Sequence, residues 1–269
     1  MNAKNSDFEN VASSAIQIVK DAGKLLLDRF NGKKQVSYKG RNDLVTDVDK
    51  LVEEQIIKSL RNTFPGCGIV AEESDPITAQ TDMTWIIDPL DGTSNYVNGI
   101  PFFAVNLALM TGNETVLGIT FDPMRNELFH AVKNRQAYLN QTLIEVSSKK
   151  KLKNALIGYD LGYSDEKART AIEMILQLWS SIRSTRMMGS AALGLAYAAC
   201  GRTDLYFHHH LSQWDLAAAL VIVSEAKGVT SDRQGQPASL SSTSIIAANP
   251  SLHSDFLSKT QETAWRVNQ

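Results

Sequence analysis

The stretch Trp85-Ile86-Ile87-Asp88-Pro89-Leu90-Asp91-Gly92-Thr93-Ser94-Asn95 decides how the rest of the chain is read. Trp85 to Ile87 is a short apolar run between polar residues, the pattern of a buried strand. It delivers two carboxylates, Asp88 and Asp91, and Pro89 between them is expected to stop the strand. Gly92-Thr93-Ser94 can open a helix whose first N–H groups are free. Paired acids beside free backbone donors suit a hard cation and a phosphate together. Mg²⁺ takes oxygen ligands and is commonly shared between one or two carboxylates and a substrate phosphate. A helix N-terminus accepts the phosphate oxygens. Either acid alone would read as a turn, since Asp-Pro and Asp-Gly are common turn dipeptides.

Around this stretch lies a chain of 269 residues, enough for one large domain or two small ones. The formal net charge of −2 provides no global basic field for nucleic acid or anionic lipid. The one dense basic run, Lys149-Lys150-Lys151 with Lys153, reads as a solvated turn. No apolar run approaches the ~18 residues that span a bilayer, and Met1 to Glu9 has no apolar signal core. Cys67 and Cys200 have neither metal nor redox spacing, so free thiols in a reducing cytoplasm are expected.

Apolar residues at three- and four-residue steps predict helices over 8–30 and from 46 or 47 to about 64, with a polar loop or short hairpin over 36–43. Gly68 to Ala71 reads as a strand ending in Glu72-Glu73. After the central stretch, strands are expected over 103–110, 116–121, 128–132 and 137–144, separated by turn residues as in an antiparallel meander. The second half alternates: strands over 155–159, 182–187, 205–209 and 245–248, helices over 165–181, 190–200, 214–227 and 250–265. That order favours layered α+β or mixed α/β, with helices sandwiched between two sheets. One compact unit over 1–269, with subdomains of about 1–150 and 151–269, is the simplest organisation.

Four acidic groups fall where apolar runs end: Asp47/Asp49, Glu72/Glu73, Asp88/Asp91 and Asp215. Acids gathered in one cleft repel one another unless cations neutralise them. A site of two or three metals acting on a phosphate explains the gathering. The motifs themselves carry a resemblance. Asp88-Pro89-Leu90-Asp91-Gly92-Thr93-Ser94-Asn95 resembles the first signature of the inositol monophosphatase family, and Trp214-Asp215-Leu216-Ala217-Ala218-Ala219 its second. Ala71-Glu72-Glu73-Ser74, Asp43 to Asp49 and Gly189-Ser190-Ala191 are similar to further family segments, in family order.

The resemblance implies an αβαβα sandwich of the inositol monophosphatase and fructose-1,6-bisphosphatase type, and a Mg²⁺-dependent, lithium-sensitive phosphomonoesterase. Inositol monophosphate is the first substrate it implies. Fructose-1,6-bisphosphatase, nucleotide 3′-phosphatase and NADP phosphatase activities are the alternatives, and a non-catalytic relative is a further one. Glu72, Asp88 and the Leu90 carbonyl would hold one Mg²⁺, Asp88, Asp91 and Asp215 a second, with a third looser ion near Glu72. Thr93 paired with Asp49 would help activate the attacking water, so Thr93, Asp49 and Glu72 carry the catalytic roles. Gly92, Thr93, Gly189, Ser190, Ala191, His208 and Asp215 would bind substrate, and Lys39 matches a lysine near the metals. A homodimer is also implied. Where inositol-specific relatives carry a sugar-binding Glu, this chain has His208, whose charge is expected to appear near pH 6.5. Alternation puts His208 and His210 on one face if the strand persists. Trp214, Tyr96, Phe102 and Phe103 read as packing residues.

Overall fold

A computed structural model describes residues 3–38, 40 and 44–267. The chain opens with helix α1 (Ala3–Phe30), whose Ala15, Val19, Ala22 and Leu26 form a fully buried stripe. Strands β1 (Val36–Tyr38) and β2 (Leu44–Thr46) then pair antiparallel. Helix α2 (Asp47–Thr63) follows, capped by Thr46, whose hydroxyl takes the N–H groups of Val48 and Asp49.

Next come β3 (Gly68–Ala71), β4 (Met83–Asp91), the short helix α3 (Thr93–Val97), β5 (Ala104–Thr111), β6 (Glu114–Asp122), β7 (Glu127–Val132), β8 (Ala137–Leu139) and β9 (Thr142–Ile144). They form one seven-stranded sheet in sequence order, antiparallel except for the parallel pair β3 and β4. The run expected as a single strand over 137–144 is two strands joined at Asn140, which takes a left-handed φ of 54°.

The second half supplies β10 (Leu156–Tyr159), α4 (Asp165–Leu178), β11 (Ser184–Met187), α5 (Ala191–Ala199), β12 (Leu205–His208), α6 (Gln213–Glu225), β13 (Val229–Ser231), β14 (Ile245–Ala248), α7 (Pro250–Thr260) and α8 (Ala264–Val267). Its five-stranded sheet has the order β11-β10-β12-β14-β13, mixing parallel and antiparallel pairs. The helix expected over 250–265 breaks after Thr260, and strand β13 was not anticipated. The lysine run is tied down more than a solvated turn would be. Lys149 pairs with Asp204 and Lys151 with Asp255, which fixes the chain where it enters the second sheet.

Three apolar cores stack these elements as αβαβα. The first lies between α1, α2 and one face of the larger sheet. In the second, α5 and α6 lie between the two sheets. In the third, α4, α7 and α8 cover the far face of the smaller sheet. Both faces of the larger sheet are therefore buried, and its strands carry near-continuous apolar runs. Along β5, Val105, Leu107 and Leu109 enter the first core while Ala104 and Ala108 enter the second.

The expectation that Pro89 ends the strand is corrected here. β4 continues through Pro89 to Asp91. Asp88 faces Asn106 of β5, but Asp91 faces Ala104, so β4 carries one extra residue. A β-bulge leaves a residue outside the ladder, and Pro is tolerated there because no N–H is required of it. One inserted residue reverses the side-chain alternation. Strict alternation would send Asp88 and Asp91 to opposite faces; the bulge brings both to the face that looks toward α6.

The layers also approach each other closely at Gly118 of β6. A Cβ there would lie 2.3 Å from the carbonyl oxygen of Ala218 in α6. Gly118→Ala is expected to lower stability by roughly 1–3 kcal/mol, since helix and sheet must separate to admit one methyl. Denaturant unfolding of both proteins measures it, and an unchanged midpoint would refute the close packing.

Candidate active site

Four elements bring the acids together. The β4 bulge contributes Asp88 and Asp91, and the first turn of α6 contributes Asp215. One carboxylate oxygen from each of these three lies within 4.8 Å of the others. Asp88 and Asp91 are buried and Asp215 half-buried. Glu72 lies just past the end of β3, half-buried, outside this trio among the described residues but near enough for its charge to act on Asp88. The Glu72-Glu73 pair sits in a bend beyond the strand, so strand alternation does not govern it. The Glu73 N–H instead donates to the carboxylate of buried Glu53, at 2.8 Å.

The electrostatics follow from this packing. Burial pushes the Asp88 carboxyl well above the ordinary carboxylate range, and the charges of Glu72, Asp91 and Asp215 push it further. Burial also raises Asp91, against hydrogen bonds that favour its ionised form. Those bonds come from the start of α5: the Ser190 hydroxyl, and the N–H groups of Ala191 and Ala192 at 3.1 Å each. Asp91 thus occupies the positive end of a helix. Asp215 belongs to α6 itself, where its Oδ2 receives the N–H of Ser212 at 2.7 Å. Two buried, mutually repelling carboxyls with a third beside them are the donor set a hard divalent cation takes.

Asp49 uses the same device on α2. Its Oδ2 receives the N–H and hydroxyl of Thr46, at 2.9 and 2.5 Å, closing a capping box. Its Oδ1 lies 3.0 Å from the Thr93 hydroxyl, which is also 3.0 Å from the Leu90 carbonyl. Burial raises the Asp49 carboxyl, and the bonds from Thr46 and Thr93 oppose this. Asp47 faces outward and receives the N–H of Gln35, so of the two candidates only Asp49 meets Thr93. Gly92 precedes α3 with φ 90°, and a Cβ there would sit 3.1 Å from the carbonyls of Gly189 and Phe102. A left-handed conformation in that space selects glycine.

Above the acids opens a cleft of about 540 Å³ lined by Asp91, Gly92, Thr93, Gly189, Ser190, Ala191, His208 and Asp215, among others. The sequence-predicted substrate residues therefore meet at one place. The N–H groups of Gly189 and Ala191 are already engaged, by Asp160 and Asp91. His208 and His210 both line the cleft although β12 ends at His208. The expected charge on His208 near pH 6.5 is corrected. Its ring is buried, its Nδ1 accepts the His210 N–H at 3.0 Å, and burial lowers its pKa to about 3, so it stays neutral. Tyr96 and Phe103 are fully buried, and the Tyr96 hydroxyl donates to the Leu26 carbonyl. Lys39 lies outside the described residues.

Three supporting residues have no role assigned from sequence, Asn95 among them although it ends the first signature. Asp160 follows β10; its Oδ1 receives the N–H groups of Met188 and Gly189 at 2.9 and 2.5 Å, and its Oδ2 the Tyr206 hydroxyl at 2.8 Å. Asn95 holds the carbonyls of Met188, Gly189 and Phe102. The turn that leads into Ser190 is thus gripped by its N–H groups from one side and its carbonyls from the other. Asn106 joins Thr120 to the Trp214 carbonyl, anchoring the start of α6 to the sheet. Asp160 stands at the end of an expected strand, the same signal that marked the other acids. Glu53 lies one helical turn after Asp49.

The description of the inositol monophosphatase family fits residues 7–266. The chain is 36% identical over 266 residues to inositol monophosphatase 1 of Solanum lycopersicum, covering 96% of this chain and 97% of that one. It is 36% identical over 251 residues to the Nus factor SuhB of Pasteurella multocida, covering 92% and 94%. The crystal structure of the extragenic suppressor protein suhB from Bartonella henselae superposes with a TM-score of 0.91 at 32% identity, covering 94% of this chain and 99% of that one.

Asp160 makes the electrostatics testable. Burial raises its pKa to about 7, against an unfolded value near 3.9. The folded state therefore binds the extra proton, and this stabilisation is full below about pH 4 and lost as pH rises through about 7. Asn mimics the neutral acid, accepting both N–H groups and donating to Tyr206. Asp160→Asn should gain on wild type by up to roughly 4 kcal/mol between pH 4 and pH 7.5, measured by urea unfolding. An equal gap at both pH values would show an acid that ionises normally.

Proposed function

The chain belongs to the inositol monophosphatase family and is a phosphoric monoester hydrolase; we propose that it works with Mg²⁺ on small phosphate monoesters, inositol monophosphate first. The observation that carries this reading is the carboxylate trio within 4.8 Å, two of its members buried with no cationic side chain bonded to them among the described residues. Glu72, Asp88 and the Leu90 carbonyl would hold one ion, and Asp88, Asp91 and Asp215 another. When bound, Mg²⁺ neutralises phosphoryl charge and lowers the pKa of water.

The chain's own groups do the rest. Thr93 donates to Asp49 and keeps its lone pairs for the attacking water, so it orients that water and passes proton density toward Asp49. Asp49 is held by the N–H and hydroxyl of Thr46 and accepts from Thr93. The N–H groups of Gly92 and Thr93 would donate to phosphate oxygens. Ser190 and Ala191 act through Asp91, whose position they set. His208 offers one donor to the leaving group in place of a charged acceptor, which relaxes inositol specificity.

α4 exposes Ile172 and Leu176, and Trp179 just past its end continues their spacing, a face suited to a second copy in the proposed homodimer; sedimentation velocity distinguishes one copy from two. No helix among the described residues is long and apolar enough to cross a membrane. Both thiols are free and burial raises their pKa values, in keeping with the proposed reducing cytoplasm.

Asp91→Asn keeps the shape of the trio and removes one charge. Phosphate release from inositol monophosphate at saturating Mg²⁺ is expected to fall by orders of magnitude with circular dichroism unchanged. Wild-type turnover in this variant would sink the metal assignment. Thr93→Ala is expected to lower kcat with little change in KM, because phosphate is still held by backbone and ions. A raised KM with kcat intact would make Thr93 a binding group only.

A further inference from the structure

The bend that carries Glu72 is fixed at two heights. At its base, Ile69 and Ile77 exchange both backbone hydrogen bonds, at 2.9 and 2.8 Å. Its tip lies past Ala71, where the pairing of β3 with β4 has stopped. There the Glu73 N–H donates to Oε2 of Glu53 at 2.8 Å. The register explains why the tip matters. β3 runs parallel to β4 and their last pair is Ala71 with Ile87, so the next residues of the two strands are Glu72 and Asp88. A small swing of the bend carries the Glu72 carboxylate toward Asp88 or away from it.

Glu53 lies on α2 beside Val52 and one turn before Ile56, both fully buried in the first core, and is itself 2% exposed. Glutamate is almost never buried so deeply unless it is paired, and a buried carboxyl is costly unless its oxygens are hydrogen-bonded. The partner it has found is the backbone of the bend. Asp49 stands four residues earlier, so the two acids share one face of the helix. The helix that sets Asp49 against Thr93 therefore also holds the bend that carries Glu72. This hold does not require charge, since an N–H asks only for an acceptor at the right reach.

We propose that Glu53 is a positioning residue for Glu72: by accepting the Glu73 N–H it sets where the Glu72 carboxylate stands beside Asp88, and so how tightly the site takes a divalent cation. This rests on the metal reading above. Glu53 touches neither substrate nor ion and acts through the backbone of the bend. Losing a hydrogen-bonding partner behind a metal ligand commonly weakens metal affinity by about 10- to 100-fold.

Two substitutions separate reach from charge. Glu53→Gln keeps an acceptor in place and removes the charge, whereas Glu53→Asp keeps the charge and shortens the side chain by one methylene. The measurement is the Kd of the full chain for Mg²⁺ alone, by isothermal titration calorimetry, with urea unfolding of each variant to read stability separately. Glu53→Gln should bind Mg²⁺ within about twofold of wild type, and Glu53→Asp about tenfold or more weakly. Equal binding by all three proteins overturns the inference and leaves the metal reading standing, even where Glu53→Asp unfolds more easily. Weakened binding by Glu53→Gln also overturns it, because the ion would then be feeling the charge of Glu53 itself. No Mg²⁺ binding by wild type overturns both.

Discussion

The structure is built around an electrostatic conflict: carboxylates held close together in a place that water barely reaches. Desolvation and mutual repulsion each oppose ionisation of Asp88, so this arrangement persists only with strong local compensation. The compensation is backbone. Asp49 and Asp215 each reach back to the N-cap N–H of their own helix, and Asp91 receives the first N–H groups of α5. Three helices, α2, α5 and α6, therefore direct their positive ends at one place. What the protein donors leave unneutralised is what a divalent cation and a phosphate would complete.

That convergence explains the layering. α5 and α6 lie between the two sheets, so their N-termini emerge where the sheets meet. The close approach at Gly118 keeps α6 low on the larger sheet, and Asn106 fixes its first turn beside the strand that carries Asp88. From the other side, Asp160 of the smaller sheet and Asn95 after the bulge grip the turn before α5. The position of Asp91 thus depends on residues from both sheets, although the signature that contains it is one short segment.

Much of the fold was legible because both sheets are buried. Strands enclosed on two faces must be apolar runs, and the helices that cover them must show a stripe, so element type and order follow from pattern. The misses share a cause. The turn at Asn140, the break after Thr260 and the strand at Val229 are settled by hydrogen-bond partners distant in sequence, to which periodicity is blind. Asp160 was overlooked although it ends an expected strand, because its partners, the N–H groups of Met188 and Gly189, lie in a separate segment.

By itself the sequence determined the chemical inventory: which acids, which threonine, which glycine, and the family that uses them in that order. Those are local facts, carried by residue identity and spacing. Only the tertiary structure decided how they face. A one-residue bulge at Pro89 turned Asp88 and Asp91 to the same side, and the capping box of α2 set Asp49 within reach of Thr93. It also decided the charge of His208, an ordinary imidazole on paper that burial and a backbone N–H keep neutral. Side-chain direction and desolvation are properties of neighbours brought from elsewhere in the chain, and no short stretch of sequence contains its own neighbours.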